Sequence, residues 1–395
     1  MPPLRDFLTG RWRAVPVLGV TQILAWGAIF YTPVLIVPVI AIERGWSIAF
    51  GMAGFSIGLL AAGLSAPFVG RSIDRYGGHV IMGIGSLIGA LGLVFITLAD
   101  SPALYVLAWI VLGLAMGANL YDATFATLGR IFGIEARNPI TAVTLAGGLA
   151  STVSWPTTFV LMQSLGWRGT YLVYAALFVL VAAPLHAFAL PRSRAGALPP
   201  APVDGKARAA VLPAKGLPFL LVAAAFGIYA FVPSGLSAHL LAIFGRAGIE
   251  PAMVVAIGAL FGPAQVAARL IEFIFARDVH PLPIVRGALT ALICGFIMLA
   301  VLGFSTPVAA LFALMFGGAN GLVTIARGAV PLALFGAAGY GRVIGRLAAP
   351  FLLMQAAAPL VMAFVIERVS DPAALALTAA CALVALVCFL LVRRP

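Results

Sequence analysis

Four ionisable side chains, Asp122, Arg269, Glu272 and Arg327, interrupt long apolar runs. A charge in such surroundings is costly unless it meets a cavity or a partner, so each is a candidate for work on a solute or a proton. Arg269 stands in the run Gly262-Pro263-Ala264-Gln265-Val266-Ala267-Ala268-Arg269-Leu270-Ile271-Glu272. Its guanidinium keeps its charge and can grip a carboxylate through two parallel hydrogen bonds. Glu272, three residues further along a helix, can neutralise that charge or carry a proton. An anion clamp and an internal salt bridge are both open readings of the pair.

Asp122 follows Asn119 and Tyr121, and it can reach an interior cavity or pair with Arg130 or Arg137. Arg327 follows Asn320 and Thr324, and it can reach a cavity or extend to lipid headgroups. Gln22 and Trp26 are four residues apart, which puts an amide and an indole on one helix face. With Tyr31 they make a wall of aromatic edges and one amide, suited to a small, partly apolar organic anion. A polar run, Gly70 to His79, places Asp74 between Arg71 and Arg75, with Gly70, Gly77 and Gly78 permitting a tight turn. An enzyme would need a nucleophile-base pair or a metal cluster, and His79, His186, His239 and His280 show no such grouping. Cys294, Cys381 and Cys388 lie in apolar runs at no metal-ligand spacing. No catalytic group, metal or cofactor is expected, and without G-x-x-x-x-G-K-[ST] there is no nucleotide site.

The elements that must position these groups follow from composition. With 63% hydrophobic and 9% charged residues and a mean hydropathy of +1.12, the 395 residues cannot cover a soluble globule. The chain reads as a polytopic all-α membrane protein. Apolar runs give twelve expected spans, at approximately 14–41, 47–70, 79–98, 102–127, 139–164, 169–190, 217–243, 251–276, 282–303, 306–330, 347–366 and 372–392. The net charge of +12 comes from basic residues in short loops, so no nucleic-acid partner is expected. One side collects Arg5, Arg11, Arg13, Arg71, Arg75, Arg130, Arg137, Arg192, Arg194, Lys206, Arg208, Lys215, Arg277, Arg286, Arg342, Arg346, Arg393 and Arg394, whereas Arg44, Arg168, Arg246 and Arg368 fall on the other. That asymmetry predicts both termini in the cytoplasm, in a plasma or inner membrane. Residues 191–216, rich in Ala, Pro and basic groups, read as a cytoplasmic linker between a bundle at 1–190 and another at 217–395.

The spacing Gly70-x-x-x-Asp74-Arg75-x-Gly77 resembles the loop 2-3 signature of the major facilitator superfamily. The resemblance implies a latch on the helix ends, with Asp74 against the start of the eleventh helix near Arg342. Gly129-Arg130-Ile131-Phe132, Arg137, Leu145-Ala146-Gly147-Gly148, Pro156 and Gly166-Trp167-Arg168-Gly169-Thr170-Tyr171 resemble the monocarboxylate-transporter and oxalate/formate-antiporter branch. The likeness covers most of the N-terminal half and parts of spans eight and ten. It implies two pseudo-symmetric six-helix bundles whose first, fourth, seventh and tenth helices line a cavity. It also makes Arg269 the counterpart of the eighth-helix Arg that binds anionic substrate. Gln265 stands where proton-coupled members carry Asp, and the first span has no Lys, so coupling through those residues is not implied.

The resemblance thus implies a secondary active transporter of a small organic anion, a carboxylate above all, working by alternating access. A co-transported proton or an exchanged solute would drive it. Substrate contacts are expected from Arg269, Gln265, Gln22, Trp26, Tyr31, Asn119, Tyr121 and Asn320. Proton coupling or gating is expected from Glu272, Asp122, Arg327, Gly70, Asp74, Arg75, Gly77 and Arg342. An exporter of amphipathic or toxic compounds with the same fold is the alternative, and a membrane enzyme or a non-transporting sensor would be a departure from it.

Overall fold

The computed structural model describes residues 10–192 and 212–393. Most of the expected linker lies outside the described residues, as do Arg5, Arg194, Lys206, Arg208 and Arg394. Among the described residues every regular element is helical. That is what a bilayer demands, because a helix satisfies its own backbone N–H and C=O groups where no water can.

Helix α1 spans Arg11–Arg44 and widens to a π-turn across Trp26–Tyr31. Pro33 supplies no N–H there; the Thr32 N–H and hydroxyl both donate to the Gly27 carbonyl, at 3.0 and 2.8 Å. Helix α2 spans Ile48–Tyr76 and α3 spans Gly78–Leu98, with only Gly77 (φ 90°, ψ 156°) between them. The expected loop at Gly70–His79 is therefore largely helix. Asp74 sits in the last turn of α2, because only glycine takes that φ without strain and the break waits for it.

An apolar helical stretch of 88 residues, Pro102–Ala189, follows. At ~1.5 Å per residue it far exceeds one bilayer crossing, so its interruptions matter. It contains α4 (Pro102–Asn119), α5 (Tyr121–Phe132), α6 (Arg137–Gly147) and α7 (Ala150–Leu177), then π-turns to Ala189. The expected span 102–127 is two helices, divided at Leu120, whose backbone is extended (φ −79°, ψ −168°). Gly166 (φ 67°, ψ 178°) kinks α7 inside the Gly-Trp-Arg turn, between the expected fifth and sixth spans. The remaining helices are α8 (Gly216–Arg246), α9 (Pro251–Phe275), α10 (Pro281–Leu302), α11 (Thr306–Phe335), α12 (Tyr340–Arg368) and α13 (Asp371–Leu391). Helix α12 starts earlier than the expected 347, so Gly341 and Arg342 are in its first turn rather than in a loop. Among the described residues there are thus 10 apolar stretches of membrane-crossing length, one of which holds three of the twelve expected spans.

The chain divides into two compact units. The first comprises Met1–Arg208 with Ala337–Ala349, and the second Ala209–Gly336 with Pro350–Pro395. The first turns of α12 therefore belong to unit one. Within unit one, α4 packs on α2 and on α3; within unit two, α9 and α10 pack on α11, and α13 packs on α8. Large apolar side chains such as Phe68, Leu180 and Phe275 point outwards and are exposed, as a lipid-facing surface requires.

Candidate functional site

Three groupings of polar side chains lie in these helices. The first joins the end of α2 to the start of α12 within unit one. Asp74 Oδ1 accepts from the Gly341 N–H at 2.9 Å, and Oδ2 accepts from the Arg342 N–H at 2.7 Å. A carboxylate at a helix N-terminus meets unsatisfied donors and the positive end of the dipole, so the two helices are tied by one side chain. No side chain fits at Gly341: an added Cβ would lie 2.5 Å from Asp74 Oδ1 and from the Gly70 carbonyl oxygen. Arg130 donates to the Asp74 carbonyl. Arg75 is exposed with its guanidinium 5.0 Å from the Tyr76 ring centre, and Arg342 contributes its backbone N–H while its side chain is exposed.

The second grouping is a buried polar string in unit one. Gln22 Nε2 donates to the Asn119 carbonyl at 2.6 Å, and Gln22 Oε1 accepts from Trp26 Nε1 at 3.0 Å. Asn119 Oδ1 accepts from the Ser86 hydroxyl at 3.0 Å. Ser86 Oγ lies 2.9 Å from His186 Nδ1, and His186 Nε2 lies 2.9 Å from the Thr21 hydroxyl. With its proton on Nδ1, a neutral imidazole donates to Ser86 and accepts from Thr21, while Ser86 donates onward to Asn119. Every link is then satisfied without a formal charge. The aromatic groups cluster beside the Trp26 end: Trp26 lies 4.8 Å from the Tyr121 ring centre and 6.0 Å from that of Tyr31. Tyr31 meets Trp155 edge-on at 6.1 Å. Trp155 in turn lines a cavity of ≈ 520 Å³ with Leu35, Pro156 and Phe159.

The third grouping is in unit two. Arg269 is 3% exposed, yet two of its hydrogen bonds run to neutral acceptors: Gln265 Oε1 at 3.2 Å and the Gly321 carbonyl at 3.4 Å. Gln265 Oε1 also accepts from Asn320 Nδ2 at 3.0 Å, and Asn320 Oδ1 accepts from the Tyr229 hydroxyl at 3.2 Å. Both arginine distances exceed the ~2.7–2.9 Å of a guanidinium on a carboxylate. Glu272 is buried one turn along α9, at 4% exposure.

Of the remaining candidates, Asp122 is half-buried at the start of α5. The Arg327 guanidinium stacks 3.4 Å from the Phe351 ring centre. Arg269, Gln265 and Asn320 therefore come together in unit two, and Gln22, Trp26, Tyr31, Asn119 and Tyr121 in unit one. The sequence reading brings out neither Ser86 nor His186 as a site residue. Their only signal is polarity inside an apolar run; the partners are 100 residues apart, which no local spacing reveals.

Comparison with known proteins follows the same lines. Human monocarboxylate transporter 11 is 32% identical over 255 residues, which cover 59% of this chain and 50% of that transporter. Human monocarboxylate transporter 6 is 27% identical over 118 residues, covering 29% and 23% respectively. The chain spans half or less of the length of these relatives. Among solved structures, the human organic anion transporter MFSD10 superposes with a TM-score of 0.71 at 18% identity, covering 98% of this chain and 100% of that one. The Escherichia coli fucose:proton symporter gives 0.71 at 12% identity, covering 97% and 99%. At such identities the likeness is one of fold. The Major Facilitator Superfamily profile matches residues 17–345, most of the chain and all three groupings of polar residues, and the chain belongs to that family.

Proposed function

We propose that this chain is a secondary active transporter that moves a small organic anion, a carboxylate above all, by alternating access. The observation that carries the reading is Arg269: a permanent charge inside an apolar helix, two of whose hydrogen bonds go to long, neutral acceptors. An arriving carboxylate would displace the Gln265 oxygen and shorten the contact, putting an ionised acceptor where a neutral one stood. Asn320 would hold the displaced amide within unit two; Gln22, Trp26, Tyr31, Asn119 and Tyr121 of unit one are proposed as substrate contacts in their own right. The partial likeness to monocarboxylate transporters supports the same cargo class.

Glu272, Asp122 and Arg327 are the proposed coupling and gating charges. Asp74, with Gly70, Arg75, Gly77 and Arg342, is the proposed latch, released as α2 and α12 separate. Basic residues gathered on one side support cytoplasmic termini in a plasma or inner membrane. Counterflow in proteoliposomes tests the cargo class. Arg269→Gln is expected to lower carboxylate exchange about 100-fold, the loss of two charge-assisted bonds. Unchanged exchange of every carboxylate tried would remove the anion reading.

The ≈ 520 Å³ cavity beside Trp155 favours a second reading, export of amphipathic compounds. On that reading Trp155→Ala abolishes transport, and Arg269→Gln leaves it intact.

A further inference from the structure

A second cavity, of ≈ 410 Å³, takes no part in the cargo reading. Arg11, Arg13 and Arg192 line it, together with Phe188 and Leu190. Like charges gathered in one pocket repel unless something negative lies among them. The Arg11 guanidinium is already engaged, 2.5 Å from Glu135 and over the Phe132 ring. Arg13 and Arg192 have no ion pair among the described residues, and Arg13 Nε is buried with no hydrogen-bond partner. Beside these groups the Phe188 ring is 77% exposed.

The position in the fold narrows the ligand. Arg11 opens the first apolar stretch and Ala189 closes the one that ends here, so the cavity sits where lipid-facing helix gives way to polar chain. That is headgroup depth, with an exposed aromatic ring on the apolar side. We propose that this cavity binds the phosphate of an anionic phospholipid, with Arg13 and Arg192 on the phosphate and an acyl chain along Phe188. Basic pockets between membrane helices favour such headgroups because a phosphodiester brings charge and acceptors together. An acyl chain offers the Phe188 ring a contact that free phosphate cannot make.

Native mass spectrometry of the full chain in neutral detergent tests this, using dioleoylphosphatidylglycerol against dioleoylphosphatidylcholine. The anionic lipid is expected to bind about tenfold more tightly, and Arg13→Gln and Arg192→Gln each to weaken it about fivefold. Arg277→Gln, at an exposed site, should change nothing, and Arg269→Gln should leave the lipid preference intact whatever it does to transport. In the absence of lipid, Arg13→Gln should not lower the thermal midpoint, since it removes an unsatisfied donor; this separates loss of binding from loss of fold. Equal affinity for the two lipids, or an unchanged preference in the double variant, would overturn the proposal. So would full displacement of phosphatidylglycerol by millimolar inorganic phosphate, which would make the site one for a free anion.

Discussion

The two units solve the same problem differently. In each, a side chain on the first long helix bonds an asparagine on the fourth: Gln22 with the Asn119 carbonyl, Tyr229 with the Asn320 side chain. In unit one the network continues through Ser86 and His186 to Thr21 and closes without a formal charge. In unit two it continues through Gln265 to a guanidinium. A neutral, closed string holds helices together and has little to gain from an ion. In unit two, two of the hydrogen bonds of the guanidinium run to neutral oxygens, at 3.2 and 3.4 Å, longer than a guanidinium makes to a carboxylate. Under the proposed function, charge recognition would belong to unit two and shape or amide recognition to unit one.

Gln265→Glu strikes hardest at that contrast. It places a carboxylate beside Arg269 and creates an internal competitor for the cargo. Anion exchange at neutral pH should fall about tenfold while the thermal midpoint rises, and exchange should recover as the pH falls and the new carboxyl protonates. Exchange that is unaffected at any pH would mean that cargo does not meet Gln265.

His186→Leu and Ser86→Ala probe the other side. Each leaves buried partners without a hydrogen bond and should destabilise unit one by about 1–3 kcal/mol, read as a lower thermal midpoint. The double variant removes both ends of one link and should cost less than the two single changes together. Additive losses would break the picture of one connected string.

The smallest effect is expected of Trp26→Phe. It keeps the ring and loses one bond to Gln22, which should reduce stability by about 1 kcal/mol and leave the charge requirement of the cargo unchanged. A switch to neutral cargo would transfer charge recognition to unit one.

How much of this could be read from the chain differs from place to place. The family resemblance carried by Gly70 to Gly77 implied Asp74 against the start of the eleventh helix, and Asp74 accepts from Gly341 and Arg342 at the start of α12. The same reading put Asp74 in a loop, because charged and glycine residues look like a turn, whereas α2 runs on to Tyr76. A fainter version of the pattern, Phe275 to His280, shows what composition alone can do. There Arg277 and Asp278 make an exposed pair 3.5 Å apart. Gln22 and Trp26 were placed on one face by a four-residue spacing, a local feature, and they are bonded at 3.0 Å.

By itself the sequence determined the all-helical class, the approximate spans and the residues that carry charge into apolar surroundings. Each of these depends on neighbours a few positions away and on a solvent without hydrogen bonds. Only the tertiary structure decided which polar groups meet. The bonds from Gln22 to Asn119 and from His186 to Thr21 link residues 97 and 165 positions apart. Which carbonyl or hydroxyl lies opposite a given side chain is settled by how the helices pack, and a buried polar group takes the partner that packing puts within 3 Å or so.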